Sequence, residues 1–193
     1  MELGRIILEG RHARLEPLAE THVEGLRAAC AADAAIWDIY PYSMLGEAFD
    51  VYWRGAQDRI ARGVAAPLAV IVDGAVTGVS SFMPDPVQRT TEIGGTYLRP
   101  EARGGAVNPQ IKRMMLSHAF DQGARRVQFR VDAINLRSAA AMRKLGAHQD
   151  GLLRRDIVTW TGRVRDTLIF SILAEEWPEV RERLDGRLAT FEV

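Results

Sequence analysis

The chain has 193 residues and a mass of 21.4 kDa, and its 25 lysines and arginines are balanced by 25 aspartates and glutamates. With 47% hydrophobic and 26% charged residues it can bury a sizeable core, which excludes disorder as its overall state. Zero net charge argues against a protein that grips long nucleic acid, because phosphate neutralisation supplies most of that affinity and needs a basic surplus.

In chain order, residues 11–18 alternate (Ala13 and Leu15 against Arg14 and Glu16) and predict a strand ending at Pro17. Over 21–32, Val23, Leu26, Ala29 and Cys30 recur at helical spacing, with Thr21 as the expected N-cap and Glu24 three residues on. A second amphipathic helix is predicted over 47–62, with Phe49, Trp53, Ala56 and Ile60 on one face. Residues 68–72 and 76–83 flank Asp73-Gly74 and read as a hairpin with a type I′ turn, closed by Pro84 and Pro86. A strand follows over 92–98, then a strong helix over 109–122 with Pro109 in its first turn and Gly123 past its end. Residues 127–131 read as a short buried strand and 137–145 as a helix stopped by Gly146. A second hairpin (154–160 and 163–173, around Thr161-Gly162) and a final helix over 174–189 complete the chain. Hairpins mixed with crossover helices predict an α+β fold in α/β/α layers, its sheet mixed and mostly antiparallel. No repeat or linker divides it, so residues 1–193 read as a single domain.

Several chemistries are disfavoured at once. Cys30 is the only cysteine, which excludes an intrachain disulfide and a CxxC zinc knuckle. The four histidines are scattered without metal-ligand spacing, so no metal is expected. No apolar run approaches the roughly 18 residues of a membrane span, and the N-terminus lacks a secretory pattern. A soluble, cytoplasmic protein without membrane association is the expectation.

Four stretches carry candidate chemistry. In the first, a strand containing Glu92 runs through Arg99-Pro100 into the loop Arg103-Gly104-Gly105-Ala106-Val107-Asn108 and the strong helix. Small residues opening a helix present unpaired N–H groups to an anion, and the helix dipole favours negative charge there. The pattern is neither a P-loop nor a GxGxxG fingerprint, which disfavours ATP and NAD. Residues 99–130 hold seven cations against two anions, a net +5 that suits an anionic ligand. In the second stretch, Asn135 can cap the following helix, with Ser138 in its first turn. The third, 31–60, is rich in aromatics (Trp37, Tyr40, Tyr42, Phe49, Tyr52, Trp53) and carries a net −3, suited to a cationic amine. The fourth is the final hairpin with Trp160 and Arg163. Ordinary packing and capping are available explanations for each.

The glycine loop entering a helix, the short strand, Asn135-x-x-Ser138 and Lys144-Leu145-Gly146-Ala147 together resemble the GNAT superfamily of acyl-CoA N-acyltransferases. The segments 10–18, Asn108, Lys112, 118–120, 161–167 and 171–173 resemble, more narrowly, its RimJ/RimL-like branch, named for ribosomal-protein N-terminal acetyltransferases. The likeness spans about residues 9–178. It implies the GNAT fold and acetyl-CoA, or another acyl-CoA, held by Leu98, Arg103, Gly104, Gly105, Ala106, Val107, Asn108, Asn135 and Ser138. Ala106 stands where the family pattern usually has glycine, and a position needing positive φ would be strained there. The resemblance also implies Glu92 as general base. The family's tyrosine acid falls on Met142, so that acid is missing, and Ser138 by position, or a water, is the substitute. Trp37, Tyr40, Tyr42 and Trp160 are expected at the acceptor. The implied activity is direct acyl transfer to a protein N-terminus or small-molecule amine, with aminoglycosides and polyamines among the small acceptors. The alternative is a CoA-binding regulatory or interaction protein with little turnover. A homodimer is one assembly open to the chain.

Overall fold

The computed structural model describes residues 1–191. Eight strands form one sheet in the order β1-β2-β3-β4-β5-β6-β8-β7: Leu8–Glu9, Arg14–Pro17, Ala66–Val72, Ala75–Asp85, Thr90–Leu98, Arg126–Asp132, His148–Val158 and Val164–Leu173, numbered β1 to β8 in chain order. Every adjacent pair is antiparallel except β5 and β6. Helices α1 (Val23–Ala31) and α2 (Glu47–Ala61) cover one face, while α3 (Val107–Asp121), α4 (Leu136–Leu145) and α5 (Trp177–Ala189) cover the other. The expected α/β/α layering is therefore present. Among the described residues, no helix is long and apolar enough to cross a membrane.

Each layer follows from side-chain spacing. On α3, Ile111, Met115 and Ala119 recur at helical spacing and are fully buried against Phe82, Ile93 and Val127 of the sheet. Burying each large apolar side chain contributes about 1.5–3 kcal/mol. On the opposite face, Leu26, Cys30 and Phe49 pack on Val79 and Tyr97. The Tyr97 hydroxyl donates to the Ala29 carbonyl at 2.6 Å, satisfying a polar group inside that cluster.

Several boundaries differ from expectation. Strand β2 begins only at Arg14, because a turn closed by the Gly10 amide on the Ala13 carbonyl (3.0 Å) precedes it. Thr21 caps nothing. It lies exposed in a 3-10 turn (Glu20–His22), where the Ala19 amide donates to the His22 imidazole at 3.0 Å. Pro84 lies inside β4, past the end of β3 at Ala66, where only β5 is a partner and the missing N–H costs little. Helix α3 starts two residues early, at Val107. The second hairpin turns through three residues, Trp160, Thr161 and Gly162, with Thr159 donating to Arg163 at 2.9 Å and Gly162 at φ +83°.

Two irregularities open the sheet. Strands β5 and β6 pair only from Thr90 to Glu92 opposite Arg126 to Gln128, and then part. Beyond that point β5 stays on β4 and β6 stays on β8. Strand β5 also carries one extra residue between its pairings with Ser81 and Val79, and Gly95 there has φ +58°. Only a residue without Cβ adopts that conformation freely, and such bulges twist a strand and redirect its side chains.

Candidate active site

The parting strands leave a cavity of about 650 Å³, within the range of small-molecule and cofactor sites. Its walls come from β5, β6, α3, α4 and the loop between β5 and α3. Of the residues expected at the site, Glu92, Leu98, Arg103, Gly104, Gly105, Asn108, Asn135, Ser138, Tyr40 and Tyr42 all line it.

Glu92 stands where the strands part. Its carboxylate is half-buried, and Oε2 accepts a 3.4 Å hydrogen bond from the Gln128 amide. Burial pushes its pKa above the ordinary carboxylate value, opposed by the nearby Arg130 charge and by Gln128. A Cβ on Gly94 would lie 2.6 Å from Glu92 Oε1, so Gly94 leaves room for the carboxylate.

The glycine loop is open on the cavity side. A Cβ on Gly104 or Gly105 would meet no atom within 4 Å, and Gly104 has φ +81°. The amides of Gly104, Gly105 and Ala106 donate to no protein acceptor among the described residues. Together with the first turn of α3 they form a ready anion cradle, which fits the pyrophosphate of an acyl-CoA. Ala106 is unstrained: its φ of −73° is ordinary right-handed backbone, so glycine is not required there. Ala106 and Val107 are helix-opening residues packed inward and do not line the cavity.

Arg103 lines the cavity with one guanidinium nitrogen, Nη2, buried and unpartnered among the described residues, while the rest of the group is held by the protein. Its Nε donates to the Leu98 carbonyl at 2.7 Å, its guanidinium pairs with Asp33, and it lies 5.5 Å from the Tyr97 ring centroid. The basic segment is largely neutralised in the same way: Arg99 pairs with Glu101, Arg113 with Asp185, Arg126 with Asp150 and Arg130 with Asp156. The cations that line the cavity without an ion pair among the described residues include Arg137 and Lys144 on α4 and Arg187 on α5. Sequence reasoning missed them because they lie outside the segment counted.

On the opposite wall, Tyr40 donates to the Thr96 carbonyl at 2.6 Å, and Tyr42 stacks on Tyr52 with ring centroids 5.5 Å apart. Burial raises the pKa of all three phenols, Tyr42 to about 12, so they stay neutral. Two expected acceptor residues are not at the cavity. Trp37 is fully buried, stacked on Tyr97 at 4.8 Å, and donates to the Cys30 carbonyl; the 3-10 helix Ala34–Asp38 turns its ring into the core. Trp160 is half-exposed in the hairpin turn, where its indole donates to the Trp37 carbonyl (2.8 Å) and its amide to the Pro41 carbonyl (3.2 Å). The acidic entrance is also absent. Asp33, Asp50 and Asp58 pair with Arg103, Arg27 and Arg62, none of them lines the cavity, and Arg59 does.

On α4, Asn135 accepts from the Ser138 amide at 3.0 Å as an N-cap while still lining the cavity, so capping and site roles coexist. Met142 lines the same wall and is buried. So does Lys112, 4% exposed, whose Nζ donates to Thr96 Oγ1 at 2.7 Å; burial holds its pKa down to about 7. Sequence reasoning counted Lys112 among the cations suited to an anionic ligand and in the family resemblance, but gave it no catalytic role. The available signal was a cation amid the apolar positions of α3, between Ile111 and Met115.

A family model described as an acetyltransferase (GNAT) domain matches residues 12–148. The chain belongs to the GNAT acetyltransferase family. A T. thermophilus structure assigned to the acetyltransferases is 34% identical to this GNAT chain, covering 97% of it and 100% of the other chain, with a TM-score of 0.86. A GCN5-related N-acetyltransferase from Brucella melitensis is 28% identical, covers 95% and 86%, and also has a TM-score of 0.86. Mycobacterium smegmatis RimJ in complex with CoA-disulfide shares the fold at 22% identity, 91% and 90% coverage and a TM-score of 0.75. No curated protein matches this GNAT sequence. The GNAT fold binds acetyl-CoA, and the open glycine cradle meets that requirement here.

Proposed function

We propose that this GNAT protein transfers an acyl group, acetyl foremost, from acyl-CoA directly to a primary amine of a protein N-terminus or small molecule. The observation that carries the reading is the wedge between β5 and β6, which joins the open Gly104-Gly105 cradle to a half-buried carboxylate at Glu92. Within the family the reading places it in the RimJ/RimL-like branch, in line with the fold shared with RimJ and the matching segments at both ends of the chain.

An attacking amine must be neutral. A lysine-like amine with a pKa of about 10.4 is free base roughly once in two thousand molecules at pH 7, and an α-amine near 8 about once in ten. Glu92, its pKa raised by burial, takes the proton at the wedge directly or through water. Gly104, Gly105 and the start of α3 hold the pyrophosphate, with Arg137, Lys144 and Arg187 along the cavity as cations that have no ion pair among the described residues. When bound, acyl-CoA supplies the activated thioester. Attack is direct because Cys30 is no nucleophile: it is fully buried and burial pushes its thiol up to about 12.

The test is thiol release from acetyl-CoA across a panel of primary amines. Glu92→Gln lowers kcat/KM roughly 100- to 10,000-fold while the rise in melting temperature caused by CoA is kept. Full activity in that variant removes Glu92 from the chemistry. No thermal shift with CoA or acetyl-CoA would overturn the cofactor reading.

A further inference from the structure

We propose that Lys112 is a catalytic residue of this site, its ammonium stabilising the coenzyme A thiolate as it leaves. The proposal rests on the acyl-CoA reading above, and fills the place left where Met142 stands instead of a donor.

Geometry carries it. Lys112 lies four residues after Asn108, one turn into α3 from the glycine cradle, and its side chain enters the wedge. Its Nζ is held by Thr96 Oγ1 of β5 at 2.7 Å and stands 5.9 Å from the Phe129 ring centroid of β6. Thr96 Oγ1 is itself fixed by Ser80 Oγ at 2.8 Å. The amine therefore sits between the two strands where they diverge, on the same cavity as Glu92 and Ser138.

Charge makes the position costly without a ligand. The other charged and titratable groups lining the cavity are Glu92 and Tyr97 of β5, Tyr40 and Tyr42, Tyr52 and Arg59 of α2, Arg103 of the loop, Arg130 and Asp132 of β6, Arg137 and Lys144 of α4, Arg165 of β8 and Arg187 of α5. No carboxylate among the described residues pairs with Lys112. Asp132 is taken by Arg163 and Arg165, and Asp33 by Arg103. A buried ammonium without a counter-charge is strongly disfavoured, and a methionine would fill the same volume at lower cost. A thiolate formed in the wedge is an anion of the right sign at the right place. Burial alone holds the amine's pKa down to about 7, and such an anion offsets that cost.

The step balances. The acceptor nitrogen forms a bond to the acyl carbon, the carbon–sulfur bond breaks, and its electron pair goes to sulfur. The sulfur leaves as a thiolate that the Lys112 ammonium holds in a hydrogen-bonded ion pair, the lysine keeping its proton. The acceptor's proton goes to Glu92 and on to solvent, which protonates the thiolate once CoA is released.

The test needs no acceptor. In the wild-type protein saturated with CoA, thiolate absorbance should appear at least one pH unit below the value of about 8.5 for a free thiol, a tenfold gain in thiolate. In Lys112→Met it should appear at or above that value. Identical titrations in the two complexes overturn the proposal. A second measurement uses the wild type alone: the Lys112 ε-carbon resonance should titrate at least one unit higher with CoA bound than with desulfo-CoA, and equal values overturn it. Turnover follows the same logic. Loss of kcat above the Lys112 pKa should vanish in Lys112→Met, with kcat lowered roughly 100-fold or more and the CoA thermal shift kept. If CoA shifts the melting temperature but the thiol titrations agree, only Lys112 falls. If CoA binds neither protein, the acyl-CoA reading falls and takes this assignment with it.

Discussion

Glu92 and Gly94 are two residues apart on β5, and the second makes room for the first. A methyl group on Gly94 would meet only Glu92 Oε1 and the end of Met83, both able to move, so Gly94→Ala should fold with near-normal stability. Its activity should nevertheless drop tenfold or more, since displacing a base by about 1 Å is costly. A steady-state assay beside a thermal melt separates the two effects. Glu92 must be ionised to accept a proton, so kcat/KM should rise with pH through a midpoint above the ordinary carboxylate value, and Glu92→Gln should flatten that limb. Lys112 predicts a stability effect of its own. Its folded pKa of about 7 lies below the unfolded lysine value, so between those pH values the unfolded chain binds the extra proton. Stability should therefore climb by up to about 1.4 kcal/mol per pH unit across that window. The penalty is full below pH 7 and gone above the unfolded value. Melting curves of wild type and Lys112→Met should thus converge as pH rises, and parallel curves would count against the buried amine.

At the scale of elements, the loop from Arg103 to Asn108 separates stability from binding. Gly105→Ala adds a methyl group that touches no protein atom and requires no unusual φ, so the melting temperature without ligand should hold while CoA affinity falls. Calorimetric titration with CoA reads that difference. This loop was legible in the sequence because small residues before a helix have a local physical meaning. The order of strands and helices was legible for the same reason, since periodicity is set by neighbours within a few residues. The bulge at Gly95 was signalled by the Gly94-Gly95 pair inside a strand, a cue that passes easily for an ordinary strand. What escaped notice depends on distant partners. Arg103 meets Asp33 seventy residues away, Arg113 meets Asp185 seventy-two away, and Trp37 finds Tyr97 across a layer. Counting charges along a segment could not show that most were already paired. Lys112 escaped for a related reason: its burial is made by Thr96 and Phe129, which lie on two separate strands.

For the whole molecule, the sheet is two blocks joined through three residue pairs of β5 and β6, with the cavity beyond the join. A ligand that fills the wedge contacts both blocks and binds only the folded state. Acetyl-CoA at about one hundred times its dissociation constant should therefore stabilise the protein by about 2.7 kcal/mol, read as a rise in melting temperature. The cavity wall that bears Tyr40 and Tyr42 is braced separately. The turn at Trp160 reaches across to the carbonyls of Trp37 and Pro41, on the short segment that also bears Tyr40 and Tyr42. That segment is thereby moored to a hairpin from the far end of the chain instead of swinging as a flap. On the proposed reading, acceptors meet a preformed wall, and discrimination among them is expected to be shape-matching rather than closure. A substitution at position 160, outside the cavity, would on that reading reposition the tyrosines, so acceptor preference can drift through a turn that does not line the site.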